Sequence, residues 1–477
     1  MQKSPVVIIW AALAVAAVTG IAIAPKIIGL SVIDSLNAHV AQINDIPPYT
    51  AMVKEVNSGW FNSSAVIAVS VSFPEMDAEQ QQTFTFDLNF NAQHGPVLMG
   101  ESLTFGREAW SLSYQGENLR SNLDFAPDQA FYEFKAQTDL LGSTAISDHI
   151  VPFNIQTTED DEPVSLSFSG YQGSGDIHGN NITYMANIDK VSIDGSGKQA
   201  NIDNIHVDSQ LKANMEQIFS GEMYDSLVKV SIGNMSFTDS EDPSLNSNIQ
   251  NTLLSGESVA DRSKKIFHIL SSYSVERYEV MGSVGQDLRL NVDMKNLSSD
   301  FIKAYQKQIQ NTVQVPQGDP NAVQQQLLDF MDTNLLDLLI ASPEFNIAQV
   351  SGKLEQGKFN GQLFTKLVNI THLPDNLLDN TFWISHLQAS THIEIEQSVA
   401  EMIAVLVLES QLKANPELAQ ATPEQINEIA MQQAPMMLQN LEQQGLLEAT
   451  AEGYQLVAEL KDSQANINGN PIPLPIP

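Results

Sequence analysis

No cysteine occurs in the 477 residues. That removes disulfides, thiol catalysis, zinc knuckles and a lipoprotein anchor, so an exported fold of this chain must rest on burial alone. Positive charge is scarce: 23 Lys and Arg stand against 57 Asp and Glu, a formal net charge of -34. No Lys/Arg cluster is present that would neutralise a run of phosphates, so nucleic acid is not expected as a partner. The acidity itself reads as a solvated, self-repelling surface. Charged residues make up only 17% of the chain and hydrophobic residues 43%, which suits a folded protein with uncharged polar strand faces and argues against wholesale disorder.

Long apolar runs are also missing, with one exception. From Val6 to Ala24 no charge interrupts the chain, and those 19 residues would span roughly 28 Å as a helix, enough to cross a hydrocarbon core. Ala22-Ile23-Ala24 has the small-x-small form of a signal-peptide cleavage site, but Pro25 would follow the scissile bond. The segment therefore reads as an uncleaved anchor. Lys3 and Lys26 flank it almost symmetrically, so charge bias sets orientation only weakly.

After the anchor, Ile28, Val32, Leu36, Val40 and Ile43 recur at helical spacing until Pro47-Pro48. The period then changes to two. Val69/Val71/Phe73, Phe84/Phe86/Leu88/Phe90, Trp110/Leu112/Tyr114 and Leu288/Leu290/Val292/Met294 each alternate with polar residues, as half-buried strands do. Near Ser299 a helical period returns, breaks at Pro316-Gly318 and resumes through Leu338, while Phe345 to Ile395 reads as strand again. Capping boxes are expected at Ser398/Glu401 and at Thr422/Gln425, and Asn468-Gly469 marks a closing turn. The expected fold class is α+β and β-dominated: a long curved antiparallel meander with helices concentrated in the C-terminal third, plus one N-terminal transmembrane helix. The corresponding segments are an anchor over 1–26, a juxtamembrane amphipathic helix over 27–48, a β-rich body over 49–297, a helical hairpin over 298–342, returning strands over 343–396, and C-terminal helices with a closing hairpin over 397–477.

Few residues suggest chemistry. His94 shares the parity of Phe84 to Phe90, so its imidazole belongs at the apolar end of a strand, bonded to a backbone carbonyl and fixing the Gly95-Pro96 turn. Gly59, Trp60 and Phe61 read as a turn with two aromatic core anchors. His386 and His392, placed on one strand, would stand about 20 Å apart, too far to share a metal. No zinc or calcium spacing occurs, and no cofactor is expected. Gly173-Ser174-Gly175 and Gly195-Ser196-Gly197 read as hairpin turns, and the region Met431 to Met437 as an apolar helical packing face.

Three motifs follow one another in a meaningful order: Ser58-Gly59-Trp60-Phe61-Asn62-Ser63-Ser64 before the first long strand, His94-Gly95-Pro96 closing an early strand, and Asn468-Gly469-Asn470-Pro471-Ile472-Pro473-Leu474 at the end. Together they resemble the YdgA family of Gram-negative envelope proteins. The resemblance implies single-pass attachment to the inner membrane with the body in the periplasm, and no known substrate. Gly59, Trp60, Phe61, Ser63, His94, Gly95 and Pro96 are accordingly the candidate ligand-binding or structural residues, with no catalytic set among them. The leading expectation is a non-enzymatic scaffold or a surface for a lipid or other hydrophobic ligand. An envelope hydrolase with a site near His94, and an oligomeric assembly protein binding an envelope partner or a second copy of itself, stand as alternatives.

Overall fold

The computed structural model describes Val40, Asn44 and residues 49–474, apart from 75–80, 100–102, 160–161, 215–216, 219–222, 313–319, 375 and 415–420. The expected anchor and most of the juxtamembrane helix fall outside these residues. Among the described residues no helix is long and apolar enough to cross a membrane. The chain divides into two units, residues 1–243 with 302–332, and residues 244–301 with 333–477.

The first unit begins with β1 (Tyr49–Ser58), β2 (Asn62–Pro74), β3 (Gln81–His94), β4 (Val97–Met99), β5 (Leu103–Phe105), β6 (Glu108–Tyr114) and β7 (Tyr132–Thr138). It continues with β8 (Thr144–Ile150), β9 (Phe153–Glu159), β10 (Glu162–Phe168), β11 (Tyr171–His178), β12 (Asn181–Gly195), β13 (Lys198–Lys212) and β14 (Asp225–Asp239). Among the described residues the pairings are antiparallel, in the order β1-β2-β3-β6-β7-β8-β11-β12-β13-β14, while β4 and β5 pair with each other in a separate small sheet. The period-two alternation thus forms the expected meander.

Register decides what is buried. Ala65, Ile67 and Val69 of β2 stand opposite Phe90, Leu88 and Phe86 of β3, and all six are buried, with Val69 and Leu88 at 0% exposure. The apolar face is closed by its own chain. The β6–β7 connection contributes Leu119, Leu123, Phe125 and Phe131, and β9 and β10 fold over it with Phe153, Ile155 and Phe168. Aromatic rings run through this core, Phe86 to Tyr114 at 5.2 Å, Trp110 to Phe134 at 5.1 Å and Phe153 to Phe168 at 4.9 Å between centroids. Arg120 holds the covering connection by donating to the carbonyls of Phe125, Ala126, Pro127 and Gln129. Ahead of β1, Val40 packs on the same core, and the Asn44 side chain pairs with both backbone groups of Ala51.

The second unit carries β15 (Ser247–Asp261), β16 (Ile266–Val280) and β17 (Ser283–Ser298), then α1 (Ser299–Thr312) and α2 (Pro320–Ile340), whose residues 302–332 group with the first unit. Next come β18 (Glu344–Leu354), β19 (Gly357–Leu367), α3 (Asn380–His386), β20 (Leu387–Glu396), α4 (Gln397–Lys413) and α5 (Pro423–Gln443). The chain closes with β21 (Glu448–Ala449), β22 (Gly453–Lys461), β23 (Gln464–Ile467) and β24 (Asn470–Ile472). Strands β15 to β20 pair in sequence order, β20 pairs β22, and the meander ends through β23 and β24. Asn468 and Gly469 both adopt positive φ, as the turn between β23 and β24 requires.

Several local expectations need correction. The stretch from Phe345 to Ile395 is not all strand, because Asp379 caps α3 by accepting from the Thr381 N–H. His386 ends that helix while His392 lies in β20, so the two never shared a strand. α4 starts at Gln397 without a side-chain cap, and Gln397 instead donates to Glu401 one turn on. Gly173 and Gly175 lie inside β11, not in a turn. In α5 the packing face expected near Met431 to Met437 is present in part: Ala430, Ala434 and Leu438 are buried and Met437 packs on the same core, whereas Met431 and Met436 are exposed.

Candidate functional site

His94 is the last residue of β3 and continues the inward parity of Phe86, Leu88, Phe90 and Ala92. Its Nε2 shares a hydrogen bond of 2.9 Å with Ser63 Oγ, at the start of β2. Its backbone N–H donates to the Phe61 carbonyl at 2.8 Å. The partner is therefore a serine side chain, not the expected backbone carbonyl. Gly95 and Pro96 follow through a cis peptide bond. The Gly95 N–H donates to Arg107 O at 2.7 Å, and the Gly106 N–H to Pro96 O at 3.1 Å. A side chain at Gly95 would run into the Gly106 carbonyl oxygen 1.8 Å away, which is why glycine stands there.

A serine and a histidine at hydrogen-bond distance invite comparison with a nucleophile and its base. Ser63 is only 6% exposed, however, and an attacking hydroxyl must meet its substrate. Glu108, opposite His94 on β6, would be the orienting acid. Burial raises its carboxyl above the ordinary carboxylate range, against the lowering influence of His94 and Arg107, yet the two side chains do not close to ion-pair distance. The arrangement clamps a turn between strand ends, with no assembled triad.

Trp60 and Phe61 are not core anchors. They are 94% and 76% exposed. The turn from Gly59, whose N–H donates to Asn62 O, carries them past the end of the sheet, where none of the described residues covers them. Six of the seven nominated residues gather in one corner with Arg107, while Trp60 points away into solvent. Sequence reasoning missed their neighbours Met99, Leu103, Phe105 and Leu141, all exposed. The adjacent leucines Leu140-Leu141 directly before a turn glycine were the available signal.

A buried network was missed as well. Asp148, 5% exposed, accepts from Tyr132 at 3.1 Å and from Tyr184 at 2.5 Å, and the Tyr184 hydroxyl also meets that of Tyr171. Burial pushes the Asp148 carboxyl up, partly offset by these donors. Gly173 leaves the room for it, since a Cβ there would strike Tyr184 and Asp148.

In the second unit the alternation produces a different result. Leu288, Leu290, Val292 and Met294 of β17 share a face with Tyr273 of β16, Ile347 and Phe345 of β18 and Leu363 of β19. None of these eight is buried, and Tyr273 and Phe345 are 45% and 47% exposed. α4 and α5 pack their own small core, Ala400, Ala404, Ala434 and Leu438, against Ile395 and Tyr454 at one side of this sheet. The opposite face is polar, with Arg289, Asn291, Asp293, Gln349 and Asn360 in register. It borders a cavity of about 830 Å³ in which Arg289, Lys353 and Lys358 mix with Asp287, Glu394, Glu396 and Glu452, so no sign of charge prevails. Among the described residues no group of acids and histidines is placed to hold a metal.

The profile of a family described as "Bacterial protein of unknown function (DUF945)" matches residues 1–475. The chain belongs to that family. Its description carries no activity to transfer, so membership fixes a bacterial family but no chemistry. No curated protein and no solved structure matches the chain.

Proposed function

We propose that this family member is a non-enzymatic envelope protein of the YdgA-like kind, tethered to the inner membrane through Val6–Ala24 with its body in the periplasm, where the apolar face of the second unit binds the acyl chains of a lipid. The observation that carries the reading is the contrast between two sheets of the same alternation. In the first unit the inward residues reach 0% exposure, and in the second the aliphatic row Leu288, Leu290, Val292, Met294 stays half-buried beside an exposed Tyr273 and Phe345. A row of uncharged aliphatic side chains left partly in water is favourable for a hydrocarbon chain, which gains about 25 cal/mol per Å² of apolar surface removed from water. Acyl chains suit it better than a polar metabolite because none of the eight side chains that form the row is charged, and Arg277 and Glu279, further along β16, pair with each other.

The test is lipid extraction and native mass spectrometry of the full chain purified in mild detergent, beside Leu290→Asp and Val292→Asp. The wild type should retain phospholipid that survives detergent exchange, and each variant should retain severalfold less with unchanged strand circular dichroism. Equal lipid in all three would locate it around the apolar leader alone and remove the acyl-binding face.

A further inference from the structure

At one end of the first unit's sheet the connections β1–β2, β3–β6 and β7–β8 lie side by side, because β2, β3, β6, β7 and β8 are consecutive neighbours. Hydrogen bonds knit them together: Gln93 donates to the Met99 carbonyl, the Arg107 N–H to the Thr138 carbonyl, and Gln137 to Thr104. Their tips carry Trp60, Phe61, Met99, Leu103, Phe105 and Leu141 at 94, 76, 74, 65, 64 and 89% exposure. The fringe extends over four strand spacings, about 19 Å. Summed over the six residues, it exposes on the order of 1,000 Å² of mostly apolar surface.

The tips are also poor in acid, in a chain that has 57 acidic residues. Asp139 turns its carboxylate onto the N–H groups of Leu141, Gly142 and Ser143 at 2.9, 2.7 and 2.9 Å. Glu101, in the β4–β5 hairpin, lies outside the described residues. Behind the tips the Arg107 guanidinium lies against Gly142. Aromatic and aliphatic tips backed by a cation match the layering of a bilayer surface, where Trp sits at headgroup level and Arg reaches phosphate. Side chains this exposed project individually. A protein partner would need a matching pocket for each, whereas a fluid acyl boundary accepts them as they stand.

We propose that these three connections dip into the phospholipid bilayer, as a second membrane contact distinct from the apolar leader. Reach permits it. Val40 already packs on the core, so the free tether is the 15 residues between Ala24 and Val40, which extend to at most about 50 Å, more than the about 33 Å that β1 covers between the tip end and Tyr49. The proposal rests on the tether for that reach and does not depend on the acyl-binding face.

The lack of cysteine makes the test direct. Trp60→Cys, Leu141→Cys and, at the opposite end of the same sheet, Glu117→Cys are labelled with an environment-sensitive fluorophore in the full chain. The labelled chains are reconstituted into phosphatidylethanolamine–phosphatidylglycerol vesicles containing doxyl-labelled lipid. Labels at 60 and 141 should shift to the blue and be quenched at least about twofold relative to the label at 117. Met99→Cys replaces either tip position if a variant fails to fold. Tip labels that stay in water on vesicle-bound chain overturn the fringe and leave the tether standing, while chain that fails to float with the vesicles overturns both. Tip labels shielded only by crosslinking to a second copy, or only after addition of a protein extract, also overturn it.

Discussion

Asp148 and His94 show how much of this protein's polar chemistry serves packing. An acid whose folded pKa lies above its unfolded one binds its proton more tightly in the native state. Its favourable contribution is therefore present at low pH and is withdrawn as pH rises from the ordinary value of 3.8 through the raised one. Asp148→Asn removes the charge and keeps an acceptor for Tyr184. The melting temperature of the wild type should fall more steeply than that of the variant as pH climbs from about 4 to 7, and parallel profiles would show that the buried carboxyl does not titrate there. For His94→Ala, the lost bond leaves the buried Ser63 hydroxyl unpaired, a cost of about 1–3 kcal/mol. Denaturant unfolding should show that loss, with Ser63→Ala in the His94→Ala background recovering part of it. An unchanged midpoint joined to a lost cellular phenotype would instead revive a hydrolase at this corner. Neither network was legible in the sequence beyond the parity of His94, since Tyr132, Asp148, Tyr171 and Tyr184 meet only through the pairing of β7, β8, β11 and β12.

Helix starts illustrate what local sequence settles at the level of elements. Thr422 accepts from the Gln425 N–H, and the Gln425 side chain accepts from the Thr422 N–H in return, the reciprocal box that the spacing Thr-Pro-x-Gln announces. Ser398 and Glu401 have equivalent spacing without forming one. The end of β20 runs directly into α4, and Gln397 is tied to the Glu452 carbonyl, so the chain enters the helix two residues early, with Glu396 at the cap position, and leaves Ser398 inside it. Thr422→Ala should lower stability by about 1 kcal/mol, whereas Ser398→Ala should stay within about 0.5 kcal/mol of wild type. Chemical denaturation of the two variants side by side checks this, and equal losses would mean that the apparent box contributes nothing. The glycines make the same point: Gly195-Ser196-Gly197 lies at a turn, with Ser196 and Gly197 at positive φ, but Gly173 is a site of close approach inside a strand, and only the cross-strand neighbour reveals which.

For the molecule as a whole, the sequence by itself determined a β-dominated chain of antiparallel hairpins, with most helices in the last third and a surface of net charge -34. Alternation is a property of the pleat, so it can be read residue by residue without knowing what lies above the sheet. Tertiary structure alone decided what those faces meet. Phe84 to Phe90 and Leu288 to Met294 alternate alike, yet the first row is sealed by the β6–β7 connection and the β9–β10 hairpin, while the second stays half in water. Trp60 and Phe61 are as hydrophobic as any core pair, and only their place beyond the last rung of β2 and β3 turns them outward. Burial needs a second layer delivered by segments distant in the chain, and no local pattern records whether that layer arrives.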